Sequence, residues 1–152
     1  MEQYITYHKI IDLLNSYQAA SPRLNSFGVG EVVDFGQNTS GVSTTYPMMF
    51  VVPQSIIYNE NTTNYQLSII FGDRLNDDAF NQVDAITDMQ LEGRQFISTI
   101  KRGYLADYME IEMPVNAQPF KERFNDFIAG VALDCNITVY EDINACIYYS
   151  GI

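Results

Sequence analysis

The chain has no tryptophan, a single histidine, two cysteines and only eight lysine or arginine residues against nineteen acidic ones in 152 positions. Each shortage removes a class of function. Eight cations in a chain of formal net charge −11 cannot build the basic stripe that specific nucleic-acid binding needs, and apart from Lys101-Arg102 they are scattered. One histidine leaves little material for a Ser-His-Asp arrangement, and no serine stands in a Gly-x-Ser-x-Gly context. His8 is expected to stand alone, without a cysteine or an acidic residue at ligand spacing, so no metal centre is expected. Cys135 and Cys146 do not make a disulfide framework, and Cys135 alternates with Leu133 and Ile137 as a buried small hydrophobe would. Long apolar runs are also lacking, which argues against a bilayer span. The start Met1-Glu2-Gln3-Tyr4 lacks the basic and apolar regions of a secretory leader. The expected place of work is a cytoplasm or a particle assembled there, and the sequons at Asn38, Asn61 and Asn136 are then chance matches.

What is present is ordinary globular material. The chain is 47% hydrophobic and 18% charged, enough for one domain with a sizeable core. Its aromatic content is all Tyr and Phe, with 11 Tyr. Tyrosine serves contact patches because the ring buries area while the hydroxyl keeps a partner, but it also favours strands, and both readings stay open.

Periodicity orders the elements. Tyr7, Ile10, Ile11, Leu14 and Tyr17 make one stripe of a helix over residues 2–20, stopped by Ser21-Pro22. Phe27, Val29, Val33 and Phe35 share one face of an extended segment, with Gly28 and Gly30 on the other. After a polar loop at 36–45, Tyr46 to Val52 reads as a strand ended by Pro53. Asn59 to Asn64 reads as a turn, and Tyr65, Leu67, Ile69 and Phe71 alternate in the next strand, which gives an antiparallel hairpin. Asn76, Asp77 or Asp78 is placed to cap a second helix, whose expected buried face is Val83, Ile86, Met89, Phe96, Ile97 and Ile100. Lys101-Arg102-Gly103 is its stop, and Gly93 in its middle allows a close approach to a neighbour.

Beyond it, Met109, Ile111 and Met113 alternate with Tyr108, Glu110 and Glu112 in a half-buried strand over 106–113. Pro114 to Gln118 reads as a turn and Phe120 to Phe124 as extended. Val131, Leu133, Cys135, Ile137 and Val139 form a long last strand with Asp134, Asn136 and Thr138 outward. The order predicts an α+β fold: a mainly antiparallel sheet flanked by an N-terminal helix and a long central helix. Residues 1–140 form the single domain, and 141–152 is an apolar tail expected to pack on a neighbouring subunit.

No residue is expected to be catalytic, and no cofactor or metal is expected. Gly28-Val29-Gly30 does not continue into a dinucleotide fingerprint, because position 33 is Val and no helix follows. Glu110 with Glu112 and Asp77 with Asp78 are the carboxylate pairs that could serve acid–base or cation chemistry. A strand's solvent face accounts for the first pair and a helix cap for the second.

As a whole the chain resembles the tail-completion or tail-terminator-like neck proteins of tailed bacteriophages, in the form found in Bacteroidota-infecting and crAss-like phages. The resemblance lies in the order and spacing of five stretches: Tyr4 to Ile11, Asn25 to Glu31, Tyr46 to Phe50, Tyr65 to Asp73, and Pro119 to Asp126 with Ala129-Gly130 after it. It covers roughly residues 1–140, and departs in the 36–45 loop and the 141–152 tail. It implies a virion protein, made in the host cytoplasm, that forms a homo-oligomeric ring of six- or twelve-fold symmetry. Such a ring joins portal-side to tail-side proteins and lets DNA pass without specific binding, with no membrane contact. Tyr104, Ile147, Tyr148, Tyr149 and Ile152 are the subunit-interface candidates, and Asp73, Asp77, Asp78, Glu110 and Glu112 the lumen-facing candidates. The competing expectations are a non-catalytic binding module or assembly chaperone of similar fold, and a small hydrolase centred on Glu110 and Glu112.

Overall fold

A computed structural model of the chain describes residues 5–31, 45–75, 81–123 and 127–140. Helix α1 spans Tyr7–Ala20, where Thr6 caps the start by accepting from the Lys9 N–H, and Ser21 closes the end in extended backbone ahead of Pro22. Strands β1 (Ser26–Val29), β2 (Met48–Tyr58) and β3 (Thr62–Arg74) follow, then the long helix α2 (Gln82–Arg102). A 3-10 turn at Tyr104–Asp107 leads into β4 (Glu110–Ile111), β5 (Asn116–Arg123) and β6 (Phe127–Tyr140). The fold is α+β, two helices on a six-stranded mixed sheet.

The strands are ordered β1-β2-β3-β6-β4, with β5 also paired to β6. All pairings are antiparallel except β1 with β2. The two central strands carry the clean alternation seen in sequence. Tyr65, Leu67, Ile69 and Phe71 of β3, and Val131, Leu133, Cys135, Ile137 and Val139 of β6, all point to the helix face and are buried. There they meet Ile10, Leu14 and Tyr17 of α1 and Met89, Phe96 and Ile100 of α2. Phe96 sits between Tyr17, at 5.1 Å edge-on, and Phe71, at 5.9 Å. A smaller apolar cluster lies on the opposite face: Met48, Phe50, Val52, Ile70 and Ile128.

Two glycines are dictated by close approach. A Cβ at Gly130 would stand 1.9 Å from the Phe71 carbonyl oxygen, backbone that no rotamer change can move. At Gly93 it would come within 3.2 Å of the Leu133 side chain, so the missing Cβ lets α2 settle onto β6.

Several local expectations are corrected. β2 does not stop at Pro53. It runs on to Tyr58, because β1 pairs only as far as Val51 and a proline on an edge forfeits no ladder bond there. The register shifts between Pro53 and Ser55, so Gln54 is the extra residue of a bulge. The turn tightens to 59–61, with the Asn59 N–H donating to Thr62 O at 2.8 Å. β1 is described only as Ser26–Val29, and Val33 and Phe35 fall outside the described residues.

Asn81 occupies the N-cap position of α2 without a side-chain capping bond, its Nδ2 donating instead to Arg74 O at 3.2 Å, and Asn76, Asp77 and Asp78 lie outside the described residues. Val83 is 74% exposed rather than buried, since the face set by Ala85, Met89, Gly93, Phe96 and Ile100 leaves it about a third of a turn out of phase. Ile86 and Ile97 flank that face and are half-buried. The 106–113 segment pairs only at Glu110 and Ile111, between the 3-10 turn and Pro114, and Met113 points out. The predicted turn at 114–118 ends early, because β5 already starts at Asn116.

Candidate functional site

The registers decide which candidate residues can act together. Ile57 pairs with Asn64, Asn64 with Thr138, and Thr138 with Glu110, so these four residues form one rung across the sheet. Asp73 lies nine residues along β3 from that rung, about 30 Å at the rise of a strand. It also shares the parity of Tyr65 and Phe71, which face the helices, whereas Asn64 and Glu110 face away. Asp73 and the Glu110–Glu112 pair therefore sit at opposite ends and on opposite faces, and cannot form one patch within a subunit.

Glu110 and Glu112 are brought together on the outer face, each with a partner on β6. Tyr140 Oη donates to Glu110 Oε2 at 2.8 Å, and Asn136 Nδ2 donates to Glu112 Oε2 at 2.7 Å. Asp73 is half-buried and its Oδ1 accepts from the Arg74 N–H. Desolvation raises its pKa above the usual carboxylate value, the Arg74 N–H opposes this, and the neighbouring Asp88 charge adds to the rise. Tyr104 is half exposed on the 3-10 turn. Ile147, Tyr148, Tyr149 and Ile152, like Asp77 and Asp78, lie outside the described residues.

A cavity of about 660 Å³ opens where the end of α1 meets the middle of α2, lined among others by Tyr17, Ser21, Arg23, Glu92, Arg94 and Tyr104. At its floor Glu92 is only 4% exposed. Tyr17 Oη donates to its Oε2 at 2.5 Å, and the Ser21 hydroxyl stands 3.3 Å from both carboxylate oxygens. Ser21 Oγ in turn accepts from the Arg23 and Leu24 N–H groups, and Arg23 Nη1 donates to Asp88 O at 2.9 Å. Burial first, and then the Glu92 hydrogen bond and charge, push the Tyr17 pKa far above its ordinary 10.0. The cluster is a clasp that fixes the α1–β1 corner to α2, with the carboxylate already engaged by hydroxyls. It escaped the sequence reading because a glutamate looks like a surface residue. Its spacing from Met89 and Phe96 was the available signal.

The groups that could do chemistry are placed quietly. Burial pushes the Cys135 thiol up to about 12, so it stays protonated at neutral pH and is a poor nucleophile. His8 does have an acidic neighbour: its Nδ1 lies 3.1 Å from Asp12 one helical turn on, in a pair largely open to solvent. Among the described residues no three or more His, Cys, Asp or Glu side chains gather as metal ligands, and no helix is long and apolar enough to cross a membrane.

The sheet borders hold the more telling surface. Beyond Val51, among the described residues, no strand pairs with the side of β2 away from β3, and every residue from Pro53 to Tyr58 is exposed. Ile56 is 45%, Ile57 40% and Tyr58 75% exposed there. No family model and no curated protein matches this chain.

Proposed function

We propose that this chain is a non-catalytic structural subunit that assembles with copies of itself into a ring in the neck or tail of a tailed bacteriophage, joining portal-side to tail-side proteins around a passage for DNA. The observation that carries the reading is the outer half of β2, Gln54 to Tyr58, whose side away from β3 pairs with no strand among the described residues and which exposes Ile56, Ile57 and Tyr58. Soluble chains blunt such edges with charge or cover them, and between Tyr46 and Gly72 the only charged residue is Glu60. An edge left apolar and unguarded fits a protein whose working state is an assembly. The net charge of −11 agrees with a conduit that phosphates pass without sticking. The non-catalytic part of the reading rests on Glu92, held by Tyr17 and Ser21, and on the buried, protonated Cys135. The Asp73 corner and the Glu110–Glu112 pair are then alternative channel-facing surfaces rather than one.

Native mass spectrometry of the purified chain, with a protein inventory of purified phage particles, tests this. The expected result is a closed oligomer of one stoichiometry, and the chain retained in particles at a matching copy number. A monomer absent from particles would favour an assembly chaperone and overturn the ring.

A further inference from the structure

We infer that the subunit–subunit contact is a strand addition in which the outer half of β2 of one copy pairs, antiparallel, with the β4 border of the next. This rests on the self-assembling reading above and names the surface that would carry it. A closed ring needs a heterologous contact, two different surfaces on the same chain that meet without a shift along the ring axis. The sheet supplies such a pair at one level. Among the described residues, β2 stands at one border and β4 at the other on the rung Ile57–Asn64–Thr138–Glu110, about 14 Å apart at ordinary strand spacing.

Both borders expose apolar side chains near that level, those of the second beside the acidic Glu110 and Glu112. The first carries Ile56, Ile57 and Tyr58, and around the second Tyr108, Met113 and Tyr140 are exposed. Strand direction also matches. β2 runs antiparallel to β3, β3 to β6 and β6 to β4, so β2 and β4 of one subunit point in opposite directions. A neighbour rotated about an axis along the strands then brings its β4 antiparallel to this β2, the pairing that extends the sheet in its own alternation.

Charge favours a second copy in this order. The β4 border bears Glu110 and Glu112, so two β4 borders facing each other would set like charges opposite. The β2 border opposite has no charged residue from Tyr46 to Asn59, so it accepts an acidic border from a chain that otherwise repels its copies.

The test uses the full chain. Ile57→Lys places a charge on an exposed edge position and leaves the core alone, so its far-UV spectrum should match the parent. Its oligomer fraction by sedimentation velocity should fall roughly tenfold. In parallel, Ile57→Cys is combined with Glu110→Cys or Glu112→Cys and oxidised. A ladder of covalent multimers is expected from a double variant, exceeding anything either single variant yields. Parent oligomers that survive Ile57→Lys, without a ladder from either pair, would overturn this contact and leave the ring standing. A strong dimer from Ile57→Cys alone would replace it with a two-fold β2–β2 contact. A parent chain that stays monomeric and never cross-links would overturn both the contact and the self-assembling reading.

Discussion

β2 is one continuous strand that lives in two environments. Its first five residues, Met48 to Val52, are buried in alternation on both faces of the sheet, Met49 and Val51 beneath the helices and Met48, Phe50 and Val52 in the second cluster. Its last six, Pro53 to Tyr58, are all exposed although they keep the same hydrogen-bonded partner, β3. Composition does not account for all of this, since Ile56 and Ile57 are as apolar as Val51 and Val52. What changes is coverage. β1 flanks the first half and ends at Val29, opposite Val51, and the bulge at Gln54 re-phases the side chains beyond it. Side-chain chemistry says that a residue is able to be buried. Only neighbouring elements determine whether it is.

That contrast can be broken by measurement, most sharply in the covered half. Met49→Ala should cost about 2–5 kcal/mol in urea unfolding, and Leu133→Ala on β6 the same, because each removes a fully enclosed side chain. A loss below about 1 kcal/mol at both would mean that the helix face is not the main core.

The Glu92 clasp comes next. Tyr17→Phe should destabilise by about 1–3 kcal/mol, since a buried carboxylate loses its shortest donor and keeps only Ser21. The sign with pH follows from the raised pKa. The unfolded tyrosine ionises near 10.0 while the folded one keeps its proton, so its stabilising contribution is whole below that pH and is lost above it. Cys135, raised from 9.0 to about 12, acts in the same direction. The parent should lose stability on alkaline titration with a steeper slope than Tyr17→Phe, and equal slopes would remove the clasp.

In the exposed half the effects on folding should nearly vanish. Ile57→Ala and Tyr58→Ser should each change monomer stability by less than about 0.5 kcal/mol. A larger loss would show that the outer half of β2 is covered within the subunit. The smallest effect belongs to Asp73. Its pKa is raised, so stability falls as pH rises through the folded value, and Asp73→Asn should be slightly more stable than the parent at neutral pH. Below 3.8, where both forms are protonated, the advantage should disappear. A less stable Asp73→Asn at neutral pH would mean that the carboxylate is favourably paired.

Much of the fold was legible along the chain, and the misses have specific causes. β3 and β6 read cleanly because central strands with one face under helices must alternate, as Tyr65 to Phe71 and Val131 to Val139 do. The stop of α2 at Lys101-Arg102-Gly103 was equally local. The end of β2 was misplaced because Pro53 looks like a terminator, when among the described residues it lies at an edge with no further strand to pair. Val83 was misplaced because an apolar residue near a helix start looks like core until the phase of Ala85, Met89 and Phe96 is known. Glu92 was passed over because its partners, Tyr17 and Ser21, lie 75 and 71 residues away in the chain.

By itself the sequence determined what repeats locally: two amphipathic helices, alternating strands and their turns, together with a net charge of −11. Those features depend on the period of side-chain direction, which a helix or strand carries within itself. The tertiary structure alone decided that Asp73 and Glu110 fall at opposite ends, that Tyr17 reaches Glu92, and that β2 and β4 lie on one rung of the sheet. Strand order and register set those outcomes. Both arise from pairings between residues far apart in the chain, which no local pattern encodes.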